Sequence, residues 1–225
     1  MLKFIDAIGF VRLDSCMADD LSVVNAARVS FAQSSTELDD KAKGLINFLM
    51  REKHGTPFEH NAFRFHIKCP IFVAREWFRH RIGSFNEFSA RYSVMKDEFF
   101  VPKKDDVRSQ SGKPGAYFFV PMNGDVSESV VNAIRSANEY SYATYSHLID
   151  VGVAKELARV VLPMGMYTEF YWTVNARALM NFISLRTAET AQLDIQRYAN
   201  EVRAIFSEKM PATFKAWIEN GSVCP

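Results

Sequence analysis

The residues from Arg79 to Tyr92, RHRIGSFNEFSARY, set three guanidiniums (Arg79, Arg81, Arg91) and the imidazole of His80 beside Ser84, Asn86, Glu87 and Ser89. Guanidiniums recognise phosphate and carboxylate bidentately, and hydroxyl and amide groups complete such sites. The chemistry this run offers is therefore the binding of an anionic ligand. A helix starting at Pro70, with an apolar stripe through Ile71, Phe72, Ala74, Trp77 and Phe78, is predicted to carry Arg79, His80 and Arg81 in its last turn and to stop at Gly83. Cations there complement the helix dipole without any ligand, which explains the first three residues. It leaves Ser84, Asn86, Glu87, Ser89 and Arg91 unexplained, so ligand binding stands beside a purely structural salt-bridge loop, with ligand binding the better account.

The elements that position this run follow from periodicity. Phe10, Val11 and Leu13 read as a strand, and Asp19 or Asp20 caps a short helix through Arg28. Leu38 to Lys53 reads as a second helix, closed by Gly55 and the Thr56-Pro57 turn. Phe63, Phe65 and Ile67 alternate with Arg64, His66 and Lys68, the pattern of a half-buried strand. Residues 103–115 are polar with Gly and Pro and without period, which predicts an exposed loop. Asp125 with Glu128 reads as a capping box opening a helix to Gly152. A short helix carrying Arg159 runs to Pro163, and Tyr167–Val174 reads as a strand ending at Asn175, a cap for the next helix. The C-terminal third is helical. Strands and helices do not alternate regularly, so the expected fold class is α+β: a single domain over 1–225 with a mostly antiparallel sheet packed against several helices.

Composition narrows the function. The 225 residues carry 27 Lys and Arg against 26 Asp and Glu, a formal charge of +1, so electropositivity must be local and a nucleic-acid coat is not expected. Arg-aromatic interleaving in the 79–92 run keeps single-stranded nucleic-acid stacking open as the non-enzyme alternative. Cys16, Cys69 and Cys224 are odd in number and form no CxxC, which predicts a reducing, cytoplasmic setting rather than a disulfide framework. No stretch reaches membrane-spanning length. Neither a GxGxxG opening a helix nor a GxxxxGK[ST] occurs, and His54, His60, His66 and His80 fall in no metal-binding pair, so no metal is expected. Ser89 lacks a nucleophile elbow and reads as a hydrogen-bonding group.

The same run resembles the signature of the flavin-dependent thymidylate synthases, the ThyX family: RHR, seven residues, then Ser. ARVSF (27–31 with Ala27 first), HGTPFEH from His54, ARVVLP from Ala158 and WTVNARALMNFISLR from Trp172 resemble further blocks of that family in the family's order. The resemblance implies a homotetrameric enzyme with sites shared between subunits. It would methylate dUMP to dTMP with methylenetetrahydrofolate as carbon donor and FADH2, regenerated by NADPH, as hydride source. It further implies that Thr56, Arg79, His80, Arg81, Glu87, Asn175, Ala176, Arg177 and Asn181 contact FAD. Glu76, Trp77, Phe78, Arg79, Glu87, Phe88, Ser89, Ala90, Arg91, Arg159 and Arg186 would hold dUMP, with Arg186 catalytic. No nucleic-acid or membrane partner is implied. Two positions depart from the family pattern: Glu76 stands where Gln is usual, and Thr190 where His is frequent. A carboxylate at Glu76 is expected to need neutralisation by Arg75 or Arg79, or protonation, unless it is a surface group paired within its helix. A flavin-binding relative with altered chemistry is the remaining alternative.

Overall fold

The computed structural model describes residues 1–225, and the chain divides into two compact units. The first comprises Met1–Lys68, Arg75–Asn86 and Glu169–Pro225; the second comprises Cys69–Ala74 and Glu87–Thr168.

The elements run β1 (Leu2–Phe4), β2 (Phe10–Met17), α1 (Asp20–Arg28), α2 (Asp40–Arg51), β3 (Ala62–Pro70), α3 (Ile71–Trp77) and β4 (Ser84–Glu87). They continue with β5 (Arg108–Lys113), β6 (Ala116–Pro121), α4 (Gly124–Asp150), α5 (Lys155–Ala158) and β7 (Tyr167–Asn175). The chain closes with α6 (Ala176–Arg186), α7 (Leu193–Lys209) and α8 (Pro211–Glu219). Five strands form one sheet in the order β1-β2-β3-β7-β4, with β1–β2 and β2–β3 antiparallel. The α+β architecture is the one expected.

In the first unit the strand pattern dictates the core. Phe63, Phe65 and Ile67 of β3 are fully buried, while Arg64 and His66 on the opposite face meet Asp14 and Glu169. Phe170, Trp172 and Val174 of β7 repeat the alternation. Against this face lie Leu179, Phe182 and Ile183 of α6 and Tyr198, Val202 and Phe206 of α7, all buried. Asp19 and Asn175 are caps as expected, while Asp39, inside the helix expected from Leu38, instead caps one that starts at Asp40. Asp19 accepts from Ser22 N, Asp39 from Ala42 N and Asn175 from Ala178 N, each satisfying an N-terminal amide that the helix leaves open. β1 went unpredicted because three residues carry too little pattern.

The helix expected to reach Arg81 ends at Trp77, and Pro70 is the last residue of β3 rather than the first of the helix. Trp77 is fully buried against Phe182, with ring centroids 4.6 Å apart, and the chain turns there to begin β4 instead of extending into solvent. Gly83 accordingly is no helix stop. It lies against β7, where a Cβ would stand 2.9 Å from both the Thr173 carbonyl oxygen and Trp172 Nε1.

In the second unit Tyr145 of α4 is buried with Met95, Ala158 and Met166, and its hydroxyl accepts from Met95 N at 3.0 Å. The loop expected over 103–115 is ordered otherwise: a short turn at Lys104–Asp106 leads into an antiparallel β5–β6 hairpin, Arg108 opposite Pro121 and Lys113 opposite Ala116. Gly115 has φ +85°, a backbone conformation that the tight turn requires and glycine supplies. Nearly every hairpin residue is exposed, so no alternation marks β5 in the sequence. Asn123, not Asp125, caps α4 by accepting from Val126 N; Glu128 pairs instead with Lys104 at 2.9 Å.

Candidate active site

Two elements supply most of the lining of a cavity of about 720 Å³. The turn after α3 supplies Arg79, His80 and Arg81, held by His80 N donating to the Trp77 carbonyl at 3.0 Å. Helix α6 supplies Arg177, Asn181 and Leu185, whose spacing of four residues places them on one stripe, with Ala178 beside them and Arg186 at its end. The ring of His80 meets Phe182 edge-on with centroids 4.9 Å apart, and this contact ties the turn to the helix.

Arg186 is the most constrained cation. Its Nε donates to His80 Nε2 at 3.0 Å, Nη1 to the Glu76 carboxylate at 3.1 Å, and Nη2 to the Glu76 main-chain carbonyl at 3.1 Å. A guanidinium has five N–H groups, so one remains on each terminal nitrogen. His80 can accept only as a neutral imidazole with its proton on Nδ1. Burial and the Arg186 charge push its pKa down to about 4, which keeps it so at neutral pH. The Glu76 carboxyl is raised above the usual carboxylate range by burial and, to a lesser degree, by Asp194, with Arg186 opposing. Its partner is therefore neither Arg75, Arg79 nor another residue of its own helix, as the sequence suggested, but a guanidinium from α6.

At the other end Arg177 pairs with Glu59 and donates through Nε to the Pro225 carbonyl at 2.7 Å. Gly55 leaves room for this arrangement, since a Cβ there would fall 2.5 Å from Arg177 Nε and 2.9 Å from the Pro225 carbonyl oxygen. Arg79 and Arg81 are exposed and engage no carboxylate of the protein. Four guanidiniums thus face Glu59 and Glu76, and the surplus positive charge suits a phosphate-bearing ligand; Asn181 adds an amide.

The structure gathers Arg79, His80, Arg81, Asn175, Arg177, Asn181 and Arg186 around one cavity. Ala176 is buried beneath them as the first residue of α6. Thr56 lines a different cavity of about 740 Å³, with Arg28, Ser30, Phe31, His54 and His60. Trp77 is buried and Phe78 half-buried in aromatic packing with Phe85 and Phe170, so their side chains serve the core. In the second unit Glu87 accepts from Thr168 Oγ1 at 2.7 Å, Phe88 is 43% exposed, and Ala90 packs partly buried near Met95. Ser89 Oγ lies 3.4 Å from Arg91 N, Arg91 sits over the Tyr92 ring, and Arg159 is exposed after α5. Sequence reasoning passed over Glu59, Ile82, Ala178, Leu185 and Cys224, which line the same cavity as Arg79–Arg81. The HGTPFEH block was the available signal for Glu59; burial pushes the Cys224 thiol pKa up, so it is not a ready nucleophile.

A cationic cavity between a turn and a helix of an α+β fold has the charge that a nucleotide or other phosphate-bearing ligand needs. Comparison with known proteins specifies the family. The family described as "Thymidylate synthase complementing protein" matches residues 12–212, and the chain belongs to that family. It is 49% identical over 211 residues to the flavin-dependent thymidylate synthase of Thermosipho africanus, covering 94% of this chain and 91% of that one. Identity to the flavin-dependent thymidylate synthase of Streptomyces coelicolor is 42%, covering 96% and 93%. Among solved structures, the UMP/dUMP methylase PolB from Streptomyces cacaoi bound with 5-Br UMP superposes with a TM-score of 0.89 at 41% identity, covering 96% of each chain.

Proposed function

We propose that this protein is a flavin-dependent thymidylate synthase acting as one domain over residues 1–225. It methylates dUMP to dTMP with methylenetetrahydrofolate as carbon donor and NADPH as reductant through FAD. The observation that carries this reading is the convergence of the RHR run with Arg177, Asn181 and Arg186 on one cavity, in a chain belonging to this family. The cavity fits the cofactor: Arg79 and Arg81, which no carboxylate neutralises, are seats for its phosphates, and Arg177, Asn175 and Asn181 line the remainder. Bound FAD supplies the hydride chemistry, so no covalent Ser or Cys is required of the protein.

The protein's contribution is orientation and electrostatics. Uracil is a poor carbon nucleophile until charge builds on its ring oxygens and N3. The two N–H groups left on Arg186 stabilise that charge in a site of low dielectric, and a guanidinium transfers no proton of its own in doing so. Glu87, Ser89, Arg91 and Arg159 are assigned to dUMP, and Thr56 to FAD, in the assembled homotetramer. Exposed Leu157, Val160 and Met164 beside Arg159, each more than 60% accessible, support burial of that surface by another copy of the chain. No helix is long and apolar enough to cross a membrane.

Tritium release from C5-labelled dUMP, with FAD, NADPH and methylenetetrahydrofolate omitted in turn, tests the assignment. Release requiring all of them is the expected result; no release from a flavin-loaded protein refutes it. UMP is assayed alongside, because the PolB relative is described as a UMP/dUMP methylase.

A further inference from the structure

We propose that Glu76 is a positioning residue of the nucleotide site: its carboxylate and main-chain carbonyl, together with the imidazole of His80, grip three N–H groups of Arg186 and aim the other two at the substrate ring. The inference rests on the proposed function for the identity of that ring. It does not rest on it for the grip, which is in the structure.

The placement follows from two helix ends. Glu76 lies in the last turn of α3, where carbonyls lack intrahelical donors, and Arg186 is the last residue of α6. The Glu76 carbonyl accepts from both Arg79 N, at 3.3 Å, and Arg186 Nη2. A cation at a helix C-terminus is favoured by the dipole, so one guanidinium binds a helix-end carbonyl and a carboxylate together. Both side chains of the pair are about three-quarters or more covered, 20% and 25% exposed, and the contact is shielded from solvent far better than a surface ion pair. A free arginine side chain has many rotamers to lose on binding; this one is already fixed before substrate arrives.

The grip has a charge condition. Groups facing Glu76 are Arg186 from α6 and Asp194 from α7, with His80 reached through Arg186; Asp194 in turn accepts from Gln192 Nε2 at 2.9 Å. Asp194 and burial both favour protonation of Glu76, against the attraction of Arg186. A protonated Glu76 still offers its carbonyl oxygens but loses the ionic half of the contact, so the positioning weakens in acid. A glutamine in its place holds the same shape without titrating.

The test compares FAD-loaded wild type, Glu76→Ala and Glu76→Gln for dUMP binding and dTMP formation across pH. Glu76→Ala is expected to lower kcat by about tenfold or more, with FAD content unchanged. Glu76→Gln is expected to restore most of that loss at neutral pH and to shift the acid limb of the profile to lower pH. Wild-type kcat in Glu76→Ala, or an unmoved acid limb in Glu76→Gln, overturns the proposal. Should Glu76→Ala fail to fold, the Glu76→Gln profile decides alone. If wild type binds dUMP without turning it over, the functional assignment fails, and the pH dependence of dUMP affinity in wild type against Glu76→Gln still judges the positioning role.

Discussion

Acidification puts a proton on His80 against its surroundings, and the cost is readable as folding stability. An unfolded chain gives this imidazole its ordinary pKa of 6.5, whereas burial and the Arg186 charge hold it at about 4 in the folded protein. The folded state therefore resists a proton that the unfolded state accepts, so the contribution is fully present above 6.5 and is lost as pH falls toward 4. At about 1.36 kcal/mol per pH unit the interval sets a ceiling of roughly 3.4 kcal/mol. The ring is only partly buried, and solvent screening reduces the expected loss to about 1–2 kcal/mol. Protonation also removes the acceptor that Arg186 Nε uses, so the loss reports the same contact that fixes the Arg186 guanidinium. Urea unfolding at fixed protein and flavin concentration, for wild type and His80→Gln, isolates the effect because the carboxylates are common to both. Wild type should lose about 1–2 kcal/mol more than His80→Gln between neutral pH and 4. Parallel stability profiles would refute the assignment of a neutral, accepting His80.

Arg186→Ala should reduce dTMP formation by about a hundredfold or more while FAD is retained, since it removes a preorganised donor from the reacting ring; unchanged turnover in tritium release would remove its assigned role. Gly83→Ala forces a Cβ to 2.9 Å from the Thr173 carbonyl and from the indole of buried Trp172, neither of which can yield cheaply. We expect a loss of about 1–3 kcal/mol and weaker flavin affinity, because the displaced segment carries Arg79–Arg81. Thermal unfolding and flavin titration measure both, and a wild-type Tm would contradict the close approach.

What the sequence determined by itself is what neighbours a few residues apart can encode. The alternation of Phe63, Phe65 and Ile67 fixed one face of β3, the short acceptors Asp19 and Asn175 fixed two helix starts, and the density of cations in RHR pointed to an anionic ligand. Each is a local contest between backbone amides, side-chain shape and water, and each is settled within one or two turns of chain. Other outcomes required packing. The helix before RHR stopped at Trp77 because that indole found Phe182, and residues 108–121 paired as a ribbon although their exposed faces carry no pattern. The electrostatics of the site were still less local: Glu76 meets Arg186 across 110 residues and Glu59 meets Arg177 across 118. Thr56, which the family resemblance groups with the residues implied to contact FAD, lines a separate cavity. A sequence states how many charges a chain carries. Which carboxylate neutralises which guanidinium, and so which guanidiniums stay free for a phosphate, is decided when distant helix ends are brought within about 3 Å in a partly dry interior.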